Sequence, residues 1–409
     1  MNRIITFLVS VSIASIGAMA QSWVQKAGID GEGRWGTCEF SIGDRGYVIG
    51  GRAGTSNDLN ENLVYDVNTN SWEVRTPIPT GRRMATAFSI NGKGYVTCGA
   101  LGGSVFLGDL WEYDADQDSW TQRASLPDAG RYGAAGFVIN DIGYIVGGNM
   151  GTATGPYTTQ TWAYDPATDQ WTEKTAFPGL PRYASRAFVV DGKAYVSGGR
   201  VSDQTYANDL WMYDPLADNW TEMTSLPANG RCHSRGWNTM DRGLICGGHD
   251  PNSWFQECWS FNPAIDAWSP IVSYPGAGES FGTSLLIGDR IFAGLGMSSV
   301  TGVGTTDLWE LRDGFVGIDQ PEVASFQLIP NPCISGGEIT VALSDRIDRA
   351  EEFILHNSLG QVVYRYVIGP SAVGSLQLPI PELAEGSYTA SLLENGNAIA
   401  HSTIMIISH

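Results

Sequence analysis

Positive charge is scarce in this sequence. Its 409 residues contain 24 Lys and Arg against 43 Asp and Glu, which gives a formal net charge of -19. Binding to a nucleic-acid backbone depends on clustered Lys and Arg, so we expect no nucleic-acid partner for the chain. With 43% hydrophobic and 16% charged residues, the sequence also lacks the composition of a disordered protein and should fold.

Long hydrophobic runs are limited to the N-terminus. Arg3 precedes an apolar run over residues 4–16, and residues 18–20 read Ala-Met-Ala, a small-residue cleavage pattern. This arrangement predicts a secretory signal peptide over residues 1–20. Because the run is shorter than the roughly 20 residues of a spanning helix, we predict no transmembrane segment. An uncleaved short anchor is the alternative.

Catalytic motifs are missing as well. The sequence contains no G-x-S-x-G, H-E-x-x-H, P-loop or EF-hand loop with its terminal Glu, so none of those mechanisms is indicated. We therefore predict no catalytic residue and no cofactor.

A repeat of about 49 residues is the main feature that is present, and such a period indicates a repeat architecture. One copy reads Asp191-Gly-Lys-Ala-Tyr-Val-Ser-Gly-Gly199, then Asp209-Leu-Trp-Met-Tyr-Asp-Pro215, then Asp218-Asn-Trp220. The Gly pair has six copies, two of them damaged at Cys98-Gly99 and Gly294-Leu295. The last tryptophan has five copies, at Trp72, Trp120, Trp171, Trp220 and Trp268.

Each copy predicts four antiparallel strands. Two apolar runs flank a tight-turn signal such as Asn91-Gly92, and the third and fourth strands are joined by an Asp-Pro-x-x-Asp turn. Four such strands make one blade of a β-propeller. Trp23 precedes the first hairpin, whereas the last repeat ends near Leu311 without a fourth strand. The N-terminal strand should therefore close the sixth blade and leave no free edge.

The Gly-Gly, Tyr-Asp and Trp pattern at this spacing resembles the kelch repeat family. The fold prediction is all-β, with a six-bladed kelch-type β-propeller over residues 21–313, a linker over 314–325 and a small β-sandwich over 326–409. The sandwich is indicated by short alternating strands between Gly, Pro and Asn turns.

The C-terminal segment carries a second resemblance. Its Pro330-Asn-Pro332 start, its central Leu359-Gly360 and its Leu383-Ala-Glu-Gly-Ser-Tyr388 segment resemble the type A C-terminal sorting domain of bacterial type IX secretion. The resemblance implies the type IX secretion machinery as a partner, through residues 326–409, and a secreted or outer cell-surface protein exported through the periplasm. An ordinary accessory sandwich is the alternative.

Six cysteines without a C-x-x-C pair do not make a disulfide scaffold. Cys258 takes a position where other repeats carry Leu, so we interpret it as a small buried hydrophobic residue. A bridge to Cys246 on the neighbouring predicted strand is the alternative.

Two groups of residues could hold a metal ion. The carboxylates at Asp114, Asp116 and Asp118 alternate as in a calcium loop, but the equivalent segments of other repeats indicate turn chemistry. His233 and His249 should lie close together, and with Cys232 and Asp250 they could bind zinc. The preferred interpretation is two polar residues at a loop mouth, so no metal is predicted.

Arginine gives the strongest functional signal. One stands sixteen residues before the Gly pair in five of the six repeats, and others follow that position or the pair itself. Ten of the propeller's twenty Lys and Arg thus lie near one mouth of the predicted central channel. We interpret this face as ligand-binding, although the repeat arginines could instead bond neighbouring backbone. The predicted ligand-binding residues are Arg34, Arg82, Arg131, Arg182, Arg186, Arg200, Arg231, Arg235 and His249.

Two functions are consistent with that face. Guanidinium groups offer bidentate hydrogen bonds to carboxylates, and the aromatic residues that often follow the repeat arginines offer packing surfaces. The first hypothesis is a binding module for a protein, acidic peptide or glycan, since kelch substrate adaptors hold acidic peptides through arginines of this region. The alternative is a sugar-processing enzyme resembling the kelch-type sialic acid mutarotases, with Glu279 as its acid or base.

Overall fold

The computed structural model describes residues 21–313 except 153, 203, 240, 277–279 and 300, and then 324–325, 327–329, 333–342, 352–357, 362–368, 375–394 and 397–407. The predicted signal peptide and residues 314–323 of the predicted linker lie outside this part, as do Gly278 and Glu279. Contacts divide the chain into two units, residues 1–316 and 317–409. Within the described residues no helix is long and apolar enough to cross a membrane.

The first unit consists of short strands. Up to residue 123 they are β1 (Gln21–Lys26), β2 (Arg34–Trp35), β3 (Cys38–Ile42), β4 (Arg45–Ile49), β5 (Arg52–Ala53), β6 (Asn57–Asp58), β7 (Asn62–Asp66), β8 (Ser71–Arg75), β9 (Thr86–Ile90), β10 (Lys93–Thr97), β11 (Ala100–Leu101), β12 (Val105–Phe106), β13 (Leu110–Asp114) and β14 (Ser119–Arg123). Up to residue 223 they are β15 (Ala135–Ile139), β16 (Ile142–Val146), β17 (Asn149–Thr152), β18 (Gly155–Tyr157), β19 (Thr161–Asp165), β20 (Gln170–Lys174), β21 (Arg186–Val190), β22 (Lys193–Ser197), β23 (Leu210–Asp214) and β24 (Asn219–Met223). The last are β25 (Arg235–Asn238), β26 (Gly243–Cys246), β27 (Cys258–Asn262), β28 (Ala267–Ile271), β29 (Thr283–Ile287), β30 (Arg290–Gly294) and β31 (Leu308–Asp313).

Six four-stranded antiparallel sheets form the blades of a propeller. From the innermost strand outward, five of them are β3-β4-β7-β8, β9-β10-β13-β14, β15-β16-β19-β20, β21-β22-β23-β24 and β25-β26-β27-β28. The innermost strands of neighbouring blades contact one another in a closed ring, β3, β9, β15, β21, β25 and β29. The described part of the chain therefore has the predicted all-β, six-bladed fold.

The sixth blade is completed by the N-terminal strand, as the sequence predicts. Its order is β29-β30-β31-β1, and Trp23 lies opposite Leu311. The Trp23 indole donates a hydrogen bond to the Val272 carbonyl of the preceding blade at 3.4 Å. Trp72 makes the equivalent bond to the Ala27 carbonyl at 2.7 Å. Trp23 thus supplies the sixth tryptophan of the ring.

Neighbouring blades pack aromatic rings against glycine. A Cβ placed on Gly94 would lie 2.2 Å from the ring of Phe40, and one on Gly143 would lie 2.4 Å from the ring of Phe88. Both distances are far below van der Waals contact, so only glycine lets these rings fill the space between blades.

The Asp-x-x-x-Asp segments are turns that also tie blades together. Asp114 accepts hydrogen bonds from the two backbone amides that follow in its turn. Asp118 accepts hydrogen bonds from the Tyr113 hydroxyl at 2.6 Å and from the backbone N–H of Thr76 in the preceding blade at 2.9 Å. Both carboxylates accept hydrogen bonds from protein donors, which is the predicted turn chemistry.

The Gly pairs supply backbone with positive φ. Gly50 and Gly51 have φ of 62° and 89°, a region that favours glycine. In the sixth blade this conformation belongs to Leu295 and Gly296, at 43° and 119°. The predicted pair Gly294-Leu295 is therefore wrong by one residue, because Gly294 still belongs to β30.

Cys246 and Cys258 are joined by a disulfide. They lie opposite each other at the ends of β26 and β27, and both are buried. Cys258 is buried, as the preferred interpretation predicts. The structure has the alternative, a bridge to Cys246, in place of a free thiol. Cys38, Cys98, Cys232 and Cys333 are free and buried.

The second unit is a two-sheet structure with one core. Its strands are β32 (Ala324–Ser325), β33 (Gln327–Ile329), β34 (Cys333–Ile334), β35 (Glu338–Ala342), β36 (Glu352–His356), β37 (Val362–Val367), β38 (Ser375–Pro379), β39 (Gly386–Glu394) and β40 (Asn397–Ile407). One sheet has the order β32-β40-β39-β36-β37, with β34 also on β40, and the other has the order β33-β35-β38. Buried side chains of both sheets form a single hydrophobic cluster, as expected of a sandwich.

Candidate functional site

The five repeat arginines are buried between the strands of the propeller. Arg82 is the clearest case, with 0% of its side chain exposed. Its guanidinium donates to both carboxylate oxygens of Asp109 at 2.8 Å and to the carbonyl of Cys98 at 3.0 Å. Arg182 repeats the arrangement with Asp209 and Gly198. The equivalent acidic or amide partners of the other three are Glu61 for Arg34, Asp128 and Gln160 for Arg131, and Glu257 for Arg231.

The predicted ring of accessible guanidinium groups is therefore not present. Each of the five side chains is at most 5% exposed. Each guanidinium instead contacts an acid or amide side chain of the propeller. Arg235 is buried too. It joins blade five to blade six by donating to the carbonyls of Thr283, Gly294 and Leu295, and it lies over the Tyr274 ring.

A ring of backbone hydrogen bonds encircles the mouth of the channel. The N–H of Met84 donates to the carbonyl of Gly36 in the preceding blade at 2.6 Å. The same bond recurs from blade to blade, and the N–H of Gly36 donates to Phe281 at 2.9 Å to close the circle. Its six members share a positive φ and are Gly36, Met84, Gly133, Ala184, His233 and Phe281.

Four of those six residues are not glycine. A positive φ is rare for a bulky side chain such as Met84 or Phe281, and a strained backbone of this kind persists only where the surroundings impose it. Such residues concentrate at functional sites. The inner ring is thus a place to look for one.

A pocket opens inside this ring, and all six blades contribute to it. Its empty volume is about 430 Å³, counted together with the solvent at its mouth. We call it the channel-mouth pocket, and its lining residues are Gly36, Thr37, Met84, Ala85, Gly133, Ala134, Ala184, Ser185, Arg186, His233, Phe281 and Gly282.

Arg186 is the cation of the channel-mouth pocket. It starts the innermost strand of blade four, and 31% of its side chain is exposed. Its Nε donates to the Ser234 carbonyl at 2.6 Å, and one terminal nitrogen lies 3.5 Å from a carboxylate oxygen of Glu39 in blade one. The guanidinium thus reaches across the mouth of the channel, unlike the buried repeat arginines.

Glu39 lies beside Arg186 on the channel wall and was missed by the sequence reasoning. Its Oε1 accepts hydrogen bonds from the N–H and the hydroxyl of Ser284 at 3.2 and 2.8 Å. Its Oε2 is buried and has no hydrogen-bond partner in the described part of the chain. Burial raises the pKa of Glu39, and the charge of Arg186 and the bonds from Ser284 offset this only in part.

Aromatic side chains surround the channel-mouth pocket. Trp35 packs edge-on against Phe281 with ring centroids 5.2 Å apart. Tyr132 packs edge-on against Tyr183 at 5.6 Å, and Tyr183 contacts His233 at 5.5 Å. We call these residues, with Tyr157, Tyr206 and Trp254, the aromatic rim. Most of its members are only partly buried, so parts of these side chains are accessible to a ligand.

His249 and Arg200 lie at this rim, as the sequence predicts. Arg200 lies over the Tyr206 ring at 6.0 Å and donates to the Ser202 carbonyl at 3.0 Å. The rings of His233 and His249 are parallel, with centroids 5.4 Å apart, so the predicted closeness of the two histidines is confirmed. Burial lowers the pKa of His249 to about 4, and the charge of Arg200 adds to this shift.

Comparison with protein families supports the resemblance seen in the sequence. Residues 20–179 match the KLHDC2/KLHL20/DRC7 Kelch-repeats domain, and residues 181–227 match the Kelch motif. The chain carries kelch repeats. A comparison with curated proteins gives no match.

The solved structure of YjhT shares the kelch propeller fold. The similarity has a TM-score of 0.60 at 16% sequence identity, and it covers 69% of this chain and 95% of the other. At this identity the likeness concerns the fold. Kelch propellers are generally protein-binding modules, and the channel-mouth pocket is where this one offers a concave, partly charged surface.

Sequence signals existed for the features that were missed. An acid follows Arg34, Arg82 and Arg182 by 27 residues, and this spacing marks the buried pairs. Glu39 stands where the innermost strands of other blades carry small residues, such as Ala87 or Gly136. A charge at a position that otherwise requires small side chains indicates a special role.

Proposed function

We propose that this kelch propeller is a secreted or cell-surface binding module that takes an anionic group of a protein, acidic peptide or glycan in the channel-mouth pocket. The observation that carries the proposal is Arg186, a partly exposed guanidinium inside a pocket built by all six blades. The five repeat arginines and Arg235 are committed to the scaffold.

The contact between Arg186 and Glu39 leaves room for a ligand. The separation of 3.5 Å is longer than a charge-assisted hydrogen bond of about 2.7–2.9 Å. A ligand carboxylate can make the shorter, two-pronged contact that a guanidinium favours. The chain's net charge of -19 repels anions elsewhere, so an acidic ligand gains most where a guanidinium is accessible.

The aromatic rim supplies the apolar part of the proposed contact. Partly exposed rings such as those of Trp35, Tyr132 and Phe281 can contact sugar rings or apolar side chains and lose little conformational entropy on binding. A cation surrounded by aromatic faces is the arrangement that suits an acidic sugar or a peptide with acidic and apolar residues.

Screening the purified protein against glycan and acidic-peptide arrays tests this proposal. We expect Arg186→Ala to weaken a bound ligand roughly tenfold or more, the effect of losing one hydrogen bond to a charged group, and added salt to weaken it further. Arg242→Ala is the matched control, because that exposed arginine lies in the Asp241-Arg242 turn at the opposite end of its hairpin. Equal losses in both variants, or no ligand in either array, would contradict the proposal.

A second candidate function is favoured by Glu39. A buried carboxylate with a raised pKa and one oxygen without a partner in the described chain can exchange a proton with a ligand, which a binding module does not need. The predicted acid, Glu279, lies outside the described residues. A sugar-processing activity resembling the sialic acid mutarotases would accelerate anomer exchange of an acidic sugar. Glu39→Gln would abolish that acceleration, whereas binding alone would survive it.

Export is the second half of the proposal. The apolar N-terminal run and its small-residue cleavage pattern support a signal peptide over residues 1–20. The motifs of residues 326–409 support recognition by type IX secretion machinery. In this proposal the C-terminal unit directs export and surface attachment, and the propeller binds the ligand.

A further inference from the structure

We propose that Cys232, His233 and His249 bind one zinc(II) ion at the edge of the channel-mouth pocket. Their ligating atoms lie within 4.8 Å of one another. The three residues come together because Cys232 pairs with His249 across an isolated β-bridge, and because the positive φ of His233 turns its side chain back toward the same place.

The distances suit a metal centre. The Sγ of Cys232 lies 3.0 Å from Nδ1 of His233 and 3.6 Å from Nε2 of His249. Tetrahedral zinc has Zn–S of about 2.3 Å and Zn–N of about 2.0–2.1 Å, which places sulfur and nitrogen ligands about 3.5 Å apart. The two observed separations lie on either side of that value, so only small side-chain shifts are needed.

Hydrogen bonding orients His249 for this role. The hydroxyl of Ser280 lies 3.4 Å from the carbonyl of His233 and 2.8 Å from Nδ1 of His249. A carbonyl only accepts, so when the hydroxyl donates to it, Nδ1 carries the proton of the second bond. In that tautomer the lone pair of His249 is on Nε2, which lies 3.6 Å from the sulfur of Cys232. Such a second contact is what fixes a ligating histidine in metal sites.

The protein alone does not satisfy this cluster. Nε2 of His233 is buried without a hydrogen-bond partner in the described chain, while its Nδ1 and the Nε2 of His249 both lie near the sulfur of Cys232. A metal ion that replaces the thiol proton would contact all three donors at once.

The donor set determines the class of metal. One thiolate and two imidazoles suit zinc(II) and not calcium or magnesium, which prefer oxygen. Three protein ligands leave a fourth position open, as in catalytic zinc sites. His233 lines the channel-mouth pocket, so this position is reached from the pocket. The charge of Arg186, which lines the same pocket, favours an anion there.

Cobalt(II) substitution of the full chain, produced without a histidine tag and stripped with a chelator, tests the site. We expect one cobalt ion per chain, a thiolate-to-cobalt charge-transfer band, the strong visible bands of tetrahedral coordination, and displacement of cobalt by zinc. Cys232→Ala should lose the charge-transfer band. Cys38→Ala is the matched control, because it removes a buried thiol that donates to a carbonyl and lies outside this cluster.

Ser280→Ala keeps all three donors and covers the case in which Cys232→Ala does not fold. We expect it to retain one metal ion per chain and to bind about 10–100-fold more weakly, the usual cost of losing an outer contact. A wild-type chain without the charge-transfer band would overturn the proposal. Cobalt binding of equal strength in wild type and Cys232→Ala would also do so.

Discussion

At the scale of single residues, the propeller uses arginine in two ways. Arg82 and Arg182 satisfy an acid and a carbonyl inside the scaffold, whereas Arg186 extends across the channel mouth toward Glu39. Burial decides between the two roles, because a fully buried guanidinium must be paired. The scaffold role explains why an arginine is part of the repeat, whereas Arg186 stands four residues after the repeat arginine of its blade and takes no part in that role.

Replacing a scaffold arginine should cost stability. Arg82→Met leaves the carboxylate of Asp109 beside a buried apolar chain and removes the bond to Cys98. We expect the free energy of unfolding to fall by about 3–5 kcal/mol, the usual cost of breaking a buried pair. Urea denaturation measures it. Arg242→Met, at an exposed pair with Asp241, should change it by no more than about 0.5 kcal/mol. Similar values for both variants would contradict the scaffold assignment.

Glu39 should lower the stability of the protein as the pH rises, whereas a scaffold acid with a lowered pKa, such as Asp109, should raise it. Its folded pKa is raised above the ordinary 4.5, so the folded state holds this proton more tightly than the unfolded state. The stabilisation from that proton is complete below the ordinary value and is lost as the pH rises through the folded pKa. Glu39→Gln should therefore stabilise the protein at neutral pH, and the gain should shrink toward acid pH. Melting temperatures of both proteins across that range test this, and a destabilised variant at neutral pH would show that Glu39 belongs to the scaffold.

At the scale of elements, the first strand is the closure of the ring. β1 pairs along its whole length with β31, and Trp23 packs edge-on against Tyr274 in the preceding blade at 5.4 Å. β1 thus covers the outer edge of blade six, and its Trp23 connects blade six to blade five. An exposed edge of this kind invites pairing with another chain.

Deleting residues 21–26 should lower both the melting temperature and the solubility of the propeller. The milder variant Trp23→Ala keeps the strand and removes the ring and its bond to Val272, so it should destabilise by about 3 kcal/mol without aggregation. Thermal melts and size-exclusion chromatography separate the two effects. A deletion that leaves both properties unchanged would show that β1 does not hold the ring closed.

Much of this architecture could be predicted from the sequence because the repeat encodes it locally. The Gly pairs and tryptophans occur at nearly fixed spacing. The Gly pairs supply backbone with positive φ, and the tryptophans donate hydrogen bonds to the preceding blade. The predicted pair in blade six lies one residue too early. In that blade the first residue with positive φ is Leu295, which a pattern of glycines does not reveal. The candidate site was harder to predict. Arg186 and Glu39 come from blades four and one, and only ring closure brings them together.

At the scale of the whole molecule, the proposed function assigns binding and export to different parts of the chain. The propeller and the C-terminal unit have separate cores, so each should fold without the other. Removing residues 320–409 should leave ligand affinity and the melting transition of the propeller unchanged, and it should retain the protein in the periplasm. Cell fractionation of the native host tests the second outcome. Delivery of the truncated protein to the surface would contradict a sorting role for that unit.

The central claim is that ligand binds in the channel-mouth pocket, and hydrogen–deuterium exchange with a ligand from the array screen tests it most directly. We expect slower exchange in the innermost loops of several blades, the segments 34–37, 82–86, 131–135, 182–186 and 231–235. The hairpin turns at the opposite end of the innermost strands, near residues 43–44, 91–92, 140–141 and 191–192, should exchange as in the free protein. Protection confined to those turns, or to residues 326–409, would contradict the account.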